Sequence, residues 1–352
     1  MKVDRRTFVK AGLGASAAIF AAPRSLAQSD AIAAYLSDLH AAAKKEGEVS
    51  WYIAHWGVDL AERVAAAFGE TYPGVRCNVV RATSQVIYQR LSQDFKAKVT
   101  NCDVFGSADN GHYVTLKEDK QLLAYEAKNL AACAPFLRNY DPSHHVTITT
   151  SNPTVLAYNT RLVKAADAPK KWTDLLDPKW MGQIALPHPG YSGAMGSWAL
   201  AMNNMYGWDF FEKLKKNKPL IGRSLADPPV QIAAGERKVG LSTAGTAAAL
   251  QAGGKDVAPV YPEDGTLLSL GMTAIIAGTR HPNAAKLFME FLLSRKAGDL
   301  VTSEYTIPVR EDVEPKPGIA KFGALKGIRN DPQELAAKLP DLIEKWRDTF
   351  GV

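Results

Sequence analysis

Three consecutive stretches decide the fold class: Val49-Ser-Trp-Tyr-Ile-Ala54, Leu60-Ala-Glu-Arg-Val-Ala-Ala-Ala-Phe68 and Val75-Arg-Cys-Asn-Val-Val80. The first is a short apolar run, typical of a buried strand, whereas the second repeats apolar residues at helical spacing. Tyr72-Pro73-Gly74 is a turn signal, and the third stretch indicates another strand. A strand, a helix and a strand in this order predict a parallel βαβ unit of an α/β sheet.

The same alternation continues along the chain, so we expect an α/β fold throughout. Apolar runs predict further strands at 102–105, 183–187, 220–224 and 239–242. Helical spacing predicts helices at 31–45, 84–97, 194–206, 230–235 and 284–293. Residues 334–350 are expected to form helices broken by Pro340.

The composition is that of a globular protein with two domains. The chain has 352 residues, 46% hydrophobic and 22% charged, so long disorder and coiled coil are not expected. Its formal net charge is +6, from 42 basic and 36 acidic residues. Five of the basic residues and one acidic residue lie within 1–27, which leaves 37 against 35 in the remainder. The basic excess therefore does not indicate nucleic-acid binding.

Residues 1–27 have the pattern of a cleaved export signal. Arg5-Arg6-Thr7-Phe8-Val9-Lys10 precedes an apolar run from Ala11 to Ala22, and Ser25-Leu26-Ala27 offers a small-residue cleavage site. The paired arginines are typical of the bacterial twin-arginine signal. The apolar run is too short to span a membrane, which takes about 20 residues. The leader therefore predicts export to the periplasm, with cleavage near Ala27.

The cysteines favour buried thiols over chemistry. Cys77, Cys102 and Cys133 are an odd number and too few for a disulfide framework. Their spacing does not match a metal site. A Cys102–Cys133 disulfide stays open as the alternative.

Six turns that follow predicted strands supply the candidate ligand-binding residues. In open parallel sheets, ligands bind beyond the carboxyl ends of the strands, where N–H groups of the next helix start are free. Each turn alone is better explained by ordinary turn and N-cap chemistry, but six on one exported chain favour a small-molecule cleft. The selected residues are His55, Trp56, Arg81, Ser84, Ser107, Asp109, Tyr191, Ser192, Gly193, Ala194, Arg223, Ser224, Ser242 and Thr243.

Several motifs, in their order and spacing, resemble one protein family. That family is the solute-binding proteins of ABC importers, in the group that binds iron(III), polyamines or phosphosugars. The motifs are Glu48-Val-Ser-Trp-Tyr52, Phe68-Gly-Glu-Thr-Tyr-Pro-Gly74, Asp103-Val-Phe-Gly-Ser107, Leu156-Ala-Tyr-Asn159, Trp172-Thr-Asp-Leu-Leu-Asp-Pro-Lys-Trp180, Ile232-Ala-Ala-Gly-Glu236, Tyr261-Pro-Glu-Asp-Gly265 and Pro282-Asn-Ala-Ala-Lys-Leu-Phe-Met-Glu-Phe-Leu292.

The resemblance implies the two-lobe, type II-like periplasmic-binding-protein fold, with two hinge-crossing strands. Lobe 1 would comprise 28–148 and 268–352, and lobe 2 would comprise 149–267. Such proteins close around a small solute that contacts both lobes and deliver it to an inner-membrane ABC permease. The resemblance implies no catalysis, no cofactor, no nucleic-acid partner and a monomer. A sensor receptor in place of the permease is an alternative that the sequence leaves open.

The turn after the Ala-Gly-Glu motif argues against direct binding of iron. The resemblance implies that iron-binding members carry adjacent tyrosines after the strand that follows this motif, whereas this chain has Ser242-Thr243-Ala244-Gly245 there. Hydroxyl groups do not replace phenolates as ligands of Fe(III). A polyamine would need more carboxylates than Asp109, with Trp56 as an aromatic wall. Polyamine and iron-complex binding stay as alternatives.

An anionic or hydroxylated organic solute fits the turns better. Tyr191-Ser192-Gly193-Ala194 begins a predicted helix after a strand, so its N–H groups suit a carboxylate or phosphate. Ser84 stands at a similar helix start, and Arg81 or Arg223 would add charge-assisted hydrogen bonds. Trp56 would stack on a sugar or an aromatic ring.

A serine esterase is the enzymatic alternative. Gly190-Tyr191-Ser192-Gly193-Ala194 nearly matches the nucleophile motif G-x-S-x-G, with Ser192 as nucleophile. The last glycine is absent, and the histidine that follows Ser192 is His281, a poor general base at a predicted helix start. Binding without catalysis is therefore favoured.

Overall fold

The computed structural model describes the backbone of residues 22–352 and the side chains of residues 30–352. Residues 1–21 of the predicted export signal lie outside the described residues, and residues 22–27 belong to the first helix. The described residues form two β-sheets with α-helices packed against both. The predicted α/β class is confirmed.

The strands within residues 22–352 agree with most of the predicted ones to within two residues. They are β1 (Glu48–Ile53), β2 (Arg76–Arg81), β3 (Val104–Ser107), β4 (Leu122–Leu123), β5 (Thr147–Ser151), β6 (Thr154–Tyr158), β7 (Ile184–Pro187), β8 (Leu220–Gly222), β9 (Val239–Thr243), β10 (Ala258–Val260), β11 (Thr266–Leu267), β12 (Leu270–Ile276) and β13 (Gly327–Ile328).

The helices of the same part of the chain lie between these strands and at its ends. They are α1 (Ala22–Glu46), α2 (Val58–Thr71), α3 (Ser84–Lys96), α4 (Gly111–Glu118), α5 (Pro135–Arg138), α6 (Gly193–Tyr206), α7 (Asp209–Lys216), α8 (Asp227–Ala234), α9 (Ala244–Ala252), α10 (Pro282–Leu292), α11 (Arg295–Ser303) and α12 (Pro332–Phe350).

The first sheet has the strand order β2-β1-β3-β12-β4, and β5 also pairs with β12. β1 is parallel to both of its neighbours. Because β1 is covered on both faces, it is apolar along most of its length. Trp51 at its centre is fully buried and packs edge-on against Phe288 of α10, with 5.0 Å between ring centroids.

The second sheet has the order β13-β11-β6-β9-β7-β8, and β10 also pairs with β6. β7 is parallel to β8 and β9, so the turns that follow these strands meet at one edge. Its core contains Trp172 and Trp198, which pack edge-on at 5.8 Å.

Two adjacent connections carry the chain from one sheet to the other. Residues 152–153 link β5 to β6, and residues 268–269 link β11 to β12. The backbone N–H of Asn152 donates to the carbonyl of Ser269 at 3.0 Å, so the two connections run side by side. This pair of connections is called the hinge below. Two crossings between the sheets are what the predicted two-lobe fold requires, and that fold is confirmed.

Residues 327–352 depart from the lobe 1 position expected for 268–352. β13 pairs with β11, and α12 packs along α6 and α7, so this segment belongs mainly with the second sheet. Trp346 explains this position, because its fully buried ring lies 5.6 Å from the Phe211 ring and completes the second core. α12 also contacts α4 beside the first sheet.

The expected break at Pro340 does not occur, and α12 is one continuous helix. A proline inside a helix costs about 3 kcal/mol. Burial of Leu335, Leu342 and Trp346 on the same helix offsets that cost.

The three cysteines are free thiols, so the Cys102–Cys133 disulfide is not formed. Cys102 and Cys133 are buried and Cys77 is half-buried. Burial raises the pKa of the Cys102 thiol well above its usual value. Among the described residues, no helix combines the length and apolar character needed to cross a membrane.

Candidate functional site

A cavity of about 790 Å³ lies between the two sheets and is called the cleft below. The turns after β1 and β2, with the starts of α2 and α3, form its first wall. The starts of α6 and α9, with the turn before α8, form its second wall. Asn152 of the hinge and residues 304 and 306 also line it.

The cleft brings together ten of the predicted site residues. Within each sheet, the strands that precede these residues run parallel, so the turns that follow them collect at one edge of the sheet. The ten residues are His55, Trp56, Arg81, Ser84, Tyr191, Ser192, Gly193, Ala194, Ser224 and Thr243.

Ser107 and Asp109 do not line the cleft, and most of the hydrogen bonds of their side chains lie within the segment from β3 to α4. The Ser107 hydroxyl accepts a hydrogen bond from the Asp109 N–H at 3.1 Å. The Asp109 carboxylate accepts from the N–H of Gly111 at 3.0 Å and lies 3.4 Å from His112 Nε2. Both residues shape the turn between β3 and α4.

Arg223 and Ser242 also lie outside the cleft lining. The backbone N–H of Arg223 donates to the Asp227 carboxylate at 2.9 Å, and its side chain is exposed. Ser242 is fully buried in β9 and donates to the Thr243 carbonyl at 2.8 Å. The first residue positions the turn before α8, and the second belongs to the sheet.

Four helix starts face the cleft, but they are capped differently. At α6, the Ser192 hydroxyl accepts from the third backbone N–H of the helix at 3.4 Å. At α9, Thr243 does the same at 3.1 Å. Gly57 and Thr83, which precede α2 and α3, make no side-chain cap hydrogen bond. First-turn N–H groups and the helix dipoles give such a region a positive potential.

Two cations and two carboxylates lie among the cleft residues. Arg81 is on the first wall and donates from Nε to a backbone carbonyl at 3.1 Å, and Lys255 follows α9 on the second wall. Among the described side chains, no carboxylate lies within ion-pair distance of either cation. Glu304 pairs with Arg63, whereas Asp59 in the first turn of α2 has no such partner within the described part.

His55 lies against the glycines of two strands next to the hinge. A Cβ built at Gly106 would stand 3.0 Å from His55 Cε1, and one at Gly271 would stand 2.7 Å from Cδ2. Only glycine therefore lets the ring occupy this place. Both ring nitrogens are shielded from solvent and have no partner among the described residues. Burial lowers the pKa of His55 to about 3, so the imidazole is neutral at physiological pH.

Trp56 is mainly a core residue. Its side chain is 4% exposed and packs edge-on against Trp51 at 5.3 Å between ring centroids. It touches the cleft with an edge, whereas Tyr191 on the opposite wall is 55% exposed. Tyr191 therefore presents the larger aromatic surface to a ligand.

The pair of residues considered for an esterase is not assembled. Ser192 caps α6, whereas His281 pairs with Asp103 at 3.0 Å. Asp103 precedes β3, and the cleft lies beyond the carboxyl ends of the parallel strands β1 and β2, so His281 lies at the opposite edge of the sheet. Within the described residues, no group of three or more His, Cys, Asp or Glu side chains is placed to hold a metal ion.

The start of α6 touches the turn between β3 and α4 beside the cleft. A Cβ built at Gly193, the first residue of α6, would lie 3.2 Å from the Cα, Cβ and N atoms of Asp109. Glycine at this position lets the start of α6 approach the turn between β3 and α4.

Sequence reasoning missed Asn152, Lys255 and Thr306. Asn152 accepts from the N–H of Gly245 at 3.0 Å and so fixes the start of α9. Its position between a strand and Pro153, close to the expected lobe boundary, is a signal that could have found it. Lys255 and Thr306 follow no predicted strand, and the tertiary fold alone brings them to the cleft.

Comparisons with known proteins agree with this architecture. A family model described as bacterial extracellular solute-binding protein matches residues 102–325. A relative from Haemophilus influenzae, described as an uncharacterized protein, is 25% identical over 336 residues, which are 92% of this chain and 96% of that protein.

Two solved structures share the fold. Iron-bound HitA from Pseudomonas aeruginosa has a TM-score of 0.74 at 19% identity, over 85% of this chain and 99% of HitA. The periplasmic binding protein AfuA from Actinobacillus pleuropneumoniae, with exogenous fructose-6-phosphate bound, has a TM-score of 0.74 at 24% identity, over 87% of this chain and 99% of AfuA. The chain belongs to the bacterial extracellular solute-binding proteins, and it shares its two-lobe fold with HitA and AfuA.

Proposed function

We propose that this protein captures a small anionic solute that also carries hydroxyl groups and passes it, chemically unchanged, to an inner-membrane permease. One observation carries the proposal: four helix starts and the two cations Arg81 and Lys255 face the same cleft. Helix N-termini and cations both favour a carboxylate or phosphate. A volume of about 790 Å³ is typical of small-molecule sites.

Hydroxyl side chains of the lining support the hydroxyl part of this ligand. Thr83, Ser84, Ser224 and Thr306 line the cleft, and a hydroxyl group both donates and accepts hydrogen bonds. The His55 ring borders the cleft, but its two nitrogens are shielded from solvent and do not face a ligand in this arrangement of the lobes. The anionic group therefore belongs at the helix starts, and the hydroxyl groups of the ligand belong beside these side chains.

The alternatives of the same fold fit the donor set less well. Ser242-Thr243-Ala244-Gly245 offers no phenolate for Fe(III). A polyamine needs several carboxylates. Of those considered, Glu304 pairs with Arg63 and Asp109 lies outside the lining, which leaves Asp59 as a cleft carboxylate without an ion-pair partner within the described part. AfuA, which shares the fold, was solved with fructose-6-phosphate bound, and this sugar phosphate is an anion with hydroxyl groups.

Export and closure complete the proposal. The leader within residues 1–27 would direct the protein through the twin-arginine route, and cleavage near Ala27 would release it as a monomer into the periplasm. Rotation about the hinge would open the contact between Asp109 and Gly193, and a solute held by both walls would favour the closed state.

Titration calorimetry of the purified protein with fructose 6-phosphate, citrate, putrescine and ferric nitrilotriacetate tests the function. We expect heat of binding from an anion with hydroxyl groups. Arg81→Gln should weaken that binding about 10- to 100-fold, because a hydrogen bond to a charged group contributes roughly 1.5–3 kcal/mol. Arg223→Gln is the matched control, since this exposed arginine lies outside the cleft, and it should leave the affinity unchanged.

The proposal fails if putrescine or the ferric complex binds and the anions do not. It also fails if Arg81→Gln and Arg223→Gln bind the solute equally well. Hydrolysis of a chromogenic ester that Ser192→Ala abolishes would restore the esterase interpretation.

A further inference from the structure

A second cavity of about 660 Å³ lies on the far side of the contact between Asp109 and Gly193. Ala108 lines the cleft and Asn110 lines this second cavity, so the turn around Asp109 separates the two. We call it the hinge cavity, because the beginning of β12 forms one of its walls. Its other walls are α4, the segment after α5 and residues 329–333 at the start of α12.

The hinge cavity has a largely apolar lining. Leu270 and Met272 of β12 are 5% and 1% exposed, so the wall on the hinge side is closely packed. Apolar surface that faces an open cavity favours an aliphatic or aromatic occupant. The apolar and aromatic side chains that line it are Tyr113, Val114, Phe136, Tyr140, Val146, Leu268, Leu270 and Met272.

Arg329, one of the two cations that line the hinge cavity, is left without a carboxylate. The Arg329 guanidinium stacks on the Phe136 ring, 3.5 Å from its centroid. Among the described side chains, no carboxylate lies within ion-pair distance of Arg329. The stacked position holds the guanidinium beside the apolar wall, where an anion on an apolar body would meet it.

The carboxylates of the same cavity are mostly occupied. Asp141 accepts from Lys117 at 2.8 Å and from the hydroxyl and N–H of Ser143. Burial raises the pKa of this carboxyl, but these partners outweigh burial and lower the pKa to about 2. Asp331 caps α12 by accepting from the N–H of Gln333 at 3.0 Å. Glu118 has no ion-pair partner within the described part, but it is exposed to solvent. Arg329 and Asp331 are exposed as well, so position distinguishes Arg329: the Phe136 ring holds its guanidinium against the apolar wall.

We propose that the hinge cavity binds an amphipathic anion, with an aromatic or aliphatic body against β12 and a carboxylate or sulfonate on the Arg329 guanidinium. Such a ligand touches α4 of the first lobe, the start of α12 on the second lobe and the hinge between them. It therefore shifts the equilibrium between open and closed lobes in proportion to its preference for one of them. The observations that support this site hold whichever solute the cleft binds.

The test uses the dye 8-anilinonaphthalene-1-sulfonate, which combines an aromatic body with one sulfonate. We expect a saturable rise in its fluorescence with one site per protein. Val114→Trp fills the cavity from α4 and should weaken dye binding at least tenfold. Arg329→Gln removes the cation and should weaken it several-fold. Gln333→Trp narrows the cavity from an exposed position and replaces Val114→Trp if that variant does not fold.

Arg81→Gln in the cleft is the matched control and should leave dye binding unchanged. The proposal is overturned if Arg81→Gln weakens dye binding while Val114→Trp does not, because the dye then occupies the cleft. Absence of saturable fluorescence overturns it as well. So does a dye affinity that is equal in the wild type, in Arg329→Gln and in whichever tryptophan variant folds.

Discussion

The two walls of the cleft are built from the same element, a helix start after a strand, but the helix starts of only one wall have side-chain caps. On the second wall, Ser192 and Thr243 accept hydrogen bonds from α6 and α9. On the first wall, Gly57 and Thr83 leave the first turns of α2 and α3 without a side-chain cap. The second wall is thus stabilised by the fold itself, whereas the first keeps its donors for a ligand. We expect the first wall to contribute more of the binding free energy.

The largest effect should come from separating the walls with Gly193→Val. An added Cβ would already meet the backbone of Asp109 at 3.2 Å, so the larger side chain forces the lobes apart. We expect the affinity for the cleft solute to fall at least 100-fold, measured by calorimetry. Gly323→Val is the control, because nothing lies within 4 Å of an added Cβ there. Retained affinity in Gly193→Val would show that both walls need not close on the ligand.

The second effect is the loss of folding stability at acid pH that His55, on the first wall, should cause. Burial lowers its pKa to about 3 from the ordinary value of 6.5, so the unfolded chain takes up this proton first as the pH falls. Stability from the neutral ring is complete above pH 6.5 and is lost progressively toward pH 3. Between pH 7 and pH 5, the free energy of unfolding of His55→Gln should therefore fall by about 2 kcal/mol less than that of the wild type.

Urea unfolding at the two pH values measures this difference. Equal losses in wild type and His55→Gln would show that the ring is protonated in the folded protein. In that case His55 would act as a cation, and the first wall would hold a second positive group for the anion.

The smallest effect distinguishes the capped starts from the uncapped ones. Thr243→Val should lower the free energy of unfolding by about 1 kcal/mol, because the α9 start loses its cap hydrogen bond. Thr83→Val should change it by less than about 0.5 kcal/mol, since Thr83 makes no such bond. Chemical denaturation of the two variants provides the measurement. Equal losses would remove the distinction between the walls.

The sequence was sufficient for the parts of the site that depend on strand direction. His55 and Arg81 lie at the carboxyl ends of neighbouring parallel strands. Ser192 lies in the turn after β7, and Thr243 ends β9 of the other sheet, so one rule about carboxyl ends brought these residues together. Helical and strand periodicity likewise predicted most elements, because each face is either buried or solvated along its whole length.

The sequence was insufficient where long-range contacts decide the outcome. Asp109 looks free in its turn, but Gly111 and His112 take up its carboxylate. Trp346 gave no sign of joining the second lobe, because its partner Phe211 lies far away in the chain. The continuous α12 through Pro340 depends on the same packing. No local pattern reports such contacts.

The position of Trp56 has a spectroscopic consequence. Its indole is edge-on to Trp51 within the core and still borders the cleft. A ligand that enters the cleft changes the polarity next to one member of this coupled pair of fluorophores. Intrinsic emission of the unlabelled protein should therefore report occupancy in real time, which makes stopped-flow measurement of ligand capture and release practicable without attaching a probe.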